Sequence, residues 1–153
     1  MYKKVLVPIM GKYSLDLAEH TVDLINGCDV DLIALYVVDD SIQFLTPKNI
    51  KETIFIELKE KGEYFLEEFK SILNLSKNKN ISFEKLLTEG KPAEEILRIA
   101  KEERIDVIVL GSGKSIVDKH ILGSVSNEVI RFAPCTVHLV RTVENRDCEI
   151  QEG

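Results

Sequence analysis

Apolar residues recur along this chain in two rhythms: short runs of Val, Leu and Ile, and longer stretches in which they return every three or four residues. Lys3 to Ile9 reads as a short buried strand that turns at Pro8. Ser14 is placed to cap a helix running to about Asn26, with Leu17, Ala18, Val22 and Ile25 on one face and Gly27 as its stop. Asp29 to Val38 is a second strand, almost continuously apolar from Leu32, as expected for a strand covered on both faces. Asp39 to Lys48 is a loop. A long helix follows to about Leu75, with Ile54, Leu58, Tyr64, Phe65, Phe69 and Leu73 at helical spacing. After the polar turn Lys77 to Asn80, Ile81 to Leu87 alternates as a third strand, and Glu89-Gly90-Lys91-Pro92 opens a helix with proline in its first turn. Asp106 to Leu110 is a fourth strand, Ser124 to Phe132 a helix, and Thr136 to Val143 a fifth strand.

Strict alternation of strand and helix predicts an α/β fold: a five-stranded parallel, doubly wound, Rossmann-like sheet with right-handed crossovers and helices on both faces. No linker or repeat divides it, so residues 1–143 are expected to form one domain, followed by a charged tail at 144–153. In such sheets ligands bind beyond the carboxyl ends of the strands, where strand order reverses. The loops after Ile9, Val38 and Leu110 emerge there.

Composition narrows the partners. The 153 residues are 44% hydrophobic and 30% charged, with a formal net charge of -6. That charge argues against nucleic acid, which requires a basic face. No apolar run approaches the roughly 20 residues of a membrane helix, and Met1 to Ile9 runs straight into a short apolar strand without the apolar core and small-residue cleavage site of a leader, so none is expected. A cytoplasmic location is expected. Cys28, Cys135 and Cys148 lack paired spacing and read as ordinary thiols. His20, His120 and His138 are scattered without the spacing of zinc ligands, so no metal site is expected from them.

The stretch Asp106 to Ser126 carries the candidate chemistry. It is not a P-loop: counting back from Gly113-Lys114-Ser115 puts Ile108, inside a strand, where the first glycine belongs. The first loop, with Gly11 as its sole glycine, lacks the dinucleotide fingerprint, although Asp39 after the second strand resembles a ribose reader. A phosphoacceptor domain would need acidic residues where Met10 stands. What is left is Gly111-Ser112-Gly113, nine residues, then Gly123-Ser124. Glycines let the backbone approach phosphates, and the helix start Gly123-Ser124-Val125-Ser126 offers amides and the positive dipole end to an anion. Lys114 could add charge, and the hydroxyls of Ser124 and Ser126 could donate. The plainer readings are a strand-to-loop turn, a helix N-cap and a solvated lysine. No base and orienting group accompany His120 or Ser124, so no catalytic residue is assigned.

At this point several ordered stretches resemble the universal stress protein family: "KKVLVPIMGKYS", "LIALYVVDD", "EGKPAEEIL" and "GSGKSIVDKHILGSVSNEVIRFAPCTVHLVR". The resemblance spans nearly the whole chain. It implies the sheet described above and a homodimer paired through Thr136 to Val143. The family's ATP-binding branch carries G-x-x-G, nine residues, then G-[ST]. The resemblance then lays adenine and ribose against Pro8, Ile9 and Val37, and phosphates against Gly111, Gly113, Gly123, Ser124, Val125 and Ser126. Two departures stand out. Leu110 occupies the first glycine position, with glycine displaced to Gly111, and Met10 replaces the family's aspartate. The Met10 thioether could instead pack on an adenine ring. The expected function is regulatory binding of an adenine nucleotide, ATP with Mg²⁺, in a stress response, with slow hydrolysis left open. The alternative is a nucleotide-free homodimeric signalling module of the same fold, and a thiol sensor using Cys28 or Cys135 is a remote third.

Overall fold

A computed structural model describes residues 2–11, 13–41, 47–75, 80–113 and 122–142. The elements alternate as expected: β1 (Lys4–Pro8), α1 (Ser14–Ile25), β2 (Val30–Asp39), α2 (Lys48–Leu75), β3 (Ile81–Gly90), α3 (Pro92–Glu102), β4 (Val107–Gly111), α4 (Ser124–Phe132) and β5 (Thr136–Val140). All four strand pairings are parallel, in the order β3-β2-β1-β4-β5. The chain winds outward from β1 to β3, then crosses back to β4 on the other side of β1. Strand order therefore reverses between β1 and β4.

Side chains of a strand alternate between the two faces of its sheet, and the two cores follow that alternation. Val5, Val7, Leu32, Ala34, Val107 and Val109 pack against α1 and α2 through Leu17, Ala18, Leu66 and Phe69. Leu6, Ile33, Leu35, Ile108 and Leu110 pack against α3 and α4 through Ala93, Ile96, Ile99 and Val129. The central strands are covered on both sides, which explains their unbroken apolar runs. The edge strands β3 and β5 are mostly exposed or half-buried.

Local expectations shift in several places, and β5 ends at Val140 instead of continuing to Val143, which lies outside the described residues. Tyr13 is the N-cap of α1 and makes no side-chain capping bond. Ser14 lies inside the helix, buried, and its hydroxyl donates to the Gly11 carbonyl at 3.1 Å. Tyr64 is 65% exposed, while Gly62, Leu66, Phe69 and Leu73 form the buried stripe of α2. Gly62 sits there because a Cβ would run into the Tyr36 ring, and an aromatic ring in a packed core has nowhere to go. β3 runs three residues further than its alternation suggested, because β2 pairs with it as far as Asp39 opposite Gly90. The charged tail at 144–153, together with Lys114 and His120, lies outside the described residues.

Candidate functional site

The carboxyl ends of β1 and β4 hold two cavities, one on each face of the sheet. The first, about 230 Å³, opens between β1, β2, α3 and α4 and includes Pro8, Ile9, Met10, Val37, Asp39, Ile96 and Val125 in its lining. The second, about 220 Å³, lies on the α1 face and includes Pro8, Met10, Tyr13, Leu17, Gly111, Gly113 and Thr142. Pro8 and Met10 belong to both. Met10 is 55% exposed, so it stands at the rim dividing the two cavities and fills neither. The sequence-predicted residues are thus divided. Pro8, Ile9, Met10, Val37 and Val125 meet in one cavity, while Gly111 and Gly113 face the other.

The turn after β4 is held from three directions. The Ser112 amide donates to Val140 O at 2.7 Å, extending the β4–β5 ladder, and the Gly123 amide donates to Ser112 O at 3.0 Å. The Ser126 hydroxyl, 2% exposed, donates to Gly111 O at 2.7 Å. The Gly113 amide donates to Thr142 Oγ1 at 3.3 Å, and the Thr142 amide to Ser112 Oγ at 3.0 Å. These bonds tie the exits of β4 and β5 to the start of α4.

Both glycines of this turn are needed by the chain itself. A Cβ on Gly111 would lie 3.1 Å from Thr142 Oγ1, so the threonine would have to give, while one on Gly113 would make only an ordinary 3.4 Å contact with the Gly123 Cα. Gly113 also has φ +70, in the left-handed region that L side chains rarely adopt. The Gly113 and Gly123 amides, expected to face an anion, therefore have partners within the protein, and so does the Ser126 hydroxyl.

The first turn of α4 is different. Gly123 is its N-cap and supplies no side-chain bond. The first intrahelical bond there is Asn127 N–H to Gly123 O at 2.9 Å. Among the described residues, the amides of Ser124, Val125 and Ser126 have no acceptor. Three such N–H groups at a positive helix terminus form a generic anion seat. Val125 places this seat at the wall of the 230 Å³ cavity.

Two residues were missed as parts of the site. Thr142 holds the glycine turn, and only the folded contact reveals that. Asp39 lines the first cavity and is the one charged side chain in its described lining. Its signal was visible, an acid at the end of a strand, but it was weighed only for a dinucleotide site. Elsewhere, burial pushes the Cys135 thiol up, with Asp106 adding to the effect. That disfavours the thiolate on which a redox sensor depends. Among the described residues no three His, Cys, Asp or Glu side chains gather as a metal site, and no helix is long and apolar enough to cross a membrane.

The comparisons agree with this architecture. The universal stress protein family model matches residues 1–141. A universal stress protein of Methanothermobacter thermautotrophicus is 52% identical over 143 residues, covering 94% of this chain and 98% of that protein. The solved universal stress protein UspA from Lactobacillus plantarum is 25% identical with a TM-score of 0.73, covering 92% of this chain and 98% of the other. A family protein from Arabidopsis thaliana, solved with AMP bound, shares the fold at 20% identity and a TM-score of 0.67, covering 94% of each chain. With all five strands and both glycine segments inside the match, the chain belongs to the universal stress protein family.

Proposed function

We propose that this domain binds an adenine nucleotide, ATP in the cell, as a regulatory ligand in a cytoplasmic stress response. The observation that carries this reading is the apolar 230 Å³ cavity that ends on the first turn of α4, where three backbone amides have no acceptor among the described residues. An aromatic base suits walls made of Pro8, Ile9 and Val37, and a phosphate suits the amides of Ser124, Val125 and Ser126. Gly111, Gly113 and Gly123 then act by shaping the turn that carries those amides. The AMP held by the Arabidopsis relative supports the ligand class. Mg²⁺ would arrive on the triphosphate, since this ion is ordinarily held by phosphates and water.

The test is an equilibrium titration with a fluorescent ATP analogue, competed by unlabelled ATP and AMP. Saturable, competable binding is expected. No binding up to millimolar nucleotide overturns the reading and leaves the nucleotide-free module.

A second feature favours self-association whether or not nucleotide binds. β5 is the sheet edge, with Leu139 42% exposed, and Phe132 at the end of α4 is 62% exposed. An edge with unpaired backbone groups and apolar side chains invites a second copy. We assign the homodimer contact to Thr136–Val140 and the residues continuing to Val143. Sedimentation equilibrium is expected to give a dimer that Leu139→Lys shifts to monomer, and a monomeric parent chain would overturn the assignment.

A further inference from the structure

We propose that the 220 Å³ cavity on the α1 face binds a small uncharged molecule, an apolar ring bearing one carbonyl oxygen that accepts a hydrogen bond from the Thr142 hydroxyl. This inference does not rest on the nucleotide reading, because the amides of α4 serve the cavity on the other face of the sheet.

The lining sets the class of ligand. No described residue of this cavity is charged, and Pro8, Met10 and Leu17 contribute apolar side chains. A charged ligand would give up its hydration there without compensation. Two backbone carbonyls of the lining are already engaged: Gly11 O accepts the Ser14 hydroxyl at 3.1 Å, and Gly111 O accepts the Ser126 hydroxyl at 2.7 Å. The Gly113 amide is spent on Thr142 Oγ1.

One donor is left over. Thr142 is 2% exposed, and its hydroxyl, which accepts from Gly113, has no acceptor for its own proton among the described residues. A hydroxyl can donate as well as accept, and a buried donor without a partner is costly. Gly111 keeps this group uncovered, since a Cβ there would stand 3.1 Å from the same oxygen. Water is a poor occupant, because a buried water ordinarily needs about three polar partners. Tyr13, which brings the other hydroxyl of the lining, is itself only half-buried. Size follows from volume. An apolar cavity of about 150 Å³ accepts benzene, so 220 Å³ suits one ring with a short substituent.

The probes are acetophenone and ethylbenzene, which differ by the carbonyl oxygen, titrated into the intact chain by NMR. Acetophenone is expected to bind saturably, with shifts centred on Gly11, Leu17, Gly113 and Thr142 and NOEs to the Leu17 and Thr142 methyls. Thr142→Val should weaken acetophenone relative to ethylbenzene about tenfold. Thr142→Ser, which keeps the hydroxyl, should preserve the parent ratio. Leu17→Phe should fill the cavity and abolish binding of both probes, with circular dichroism unchanged. Should Thr142→Val fail to fold, the NOEs of the parent chain and Leu17→Phe decide. No saturable shift up to about 10 mM acetophenone, NOEs only to other residues, binding that survives Leu17→Phe, or a ratio unmoved in folded Thr142→Val overturns the proposal. Displacement of acetophenone by ATP also overturns it, because the cavity would then belong to the nucleotide site. A chain that binds acetophenone here and no ATP supports it and overturns the nucleotide reading alone.

Discussion

The turn Gly111-Ser112-Gly113 and the first turn of α4 lie against each other at the same sheet edge, yet they use their backbone in opposite ways. In the glycine turn, the Ser112 and Gly113 amides are bonded to Val140 O and Thr142 Oγ1. In the helix start, the amides of Ser124, Val125 and Ser126 have no acceptor among the described residues. One segment is a joint between elements, and the other offers the N–H groups that the proposed nucleotide would engage. Glycine richness alone does not tell the two apart, because close approach of the chain to itself demands glycine as strongly as close approach to a phosphate.

Substitutions should separate these roles, and the largest effect belongs to the joint. Gly113→Val forces a β-branched residue to φ +70 with its Cβ against the Gly123 Cα. It should cost about 3 kcal/mol in urea denaturation, from left-handed strain plus overpacking. Thr142→Val removes the acceptor of the Gly113 amide at a residue 2% exposed and should cost about 2 kcal/mol. A cost under about 0.5 kcal/mol would mean that the Thr142 contact does not organise the turn.

The seat should respond with the opposite sign. Ser124→Glu puts a carboxylate in the first turn of α4, at an exposed position. It should raise stability by about 0.3–1 kcal/mol through the helix dipole. The same charge should weaken ATP binding about tenfold, by competing for the amides and repelling phosphate. Stability and affinity moving in the same direction would break the distinction between joint and seat.

The smallest effect is expected at the opposite edge of the sheet, where Asp106 Oδ2 accepts the Lys3 and Lys4 amides at 2.9 and 2.8 Å. Those bonds hold its carboxyl below the usual range. The stabilisation is therefore full above the ordinary carboxylate pKa and is lost as pH falls through the depressed folded value. Because the group is largely solvated, Asp106→Asn should cost only a few tenths of a kcal/mol at neutral pH. That difference should shrink in acid denaturation below about pH 4, and it should not alter nucleotide affinity.

The fold was legible in the sequence because its signals are local and repeated. Unbroken apolar runs at Leu32–Val38 and Val107–Leu110 require cover on both faces, and alternation with helices forces parallel strands. Tyr64 was misplaced because Gly62 adds no apolar mark to a stripe that it nevertheless belongs to. The site was legible only in part. Pro8, Ile9, Val37 and Val125 could be brought together from strand ends and a helix start. The division of Gly111 and Gly113 into a separate cavity could not, since it depends on Thr142, an exit residue about thirty positions away whose contact no spacing encodes. Asp39 was visible as a strand-end acid, but its place in the cavity lining depends on which strand neighbours β1.

Amide chemical shifts followed by two-dimensional ¹H–¹⁵N NMR during ATP titration test the central claim most directly. Saturable shifts are expected at Ser124, Val125 and Ser126, with much smaller ones at Gly113 and Gly123. Large shifts at Gly113 and Gly123 with a quiet first turn of α4 would contradict the account.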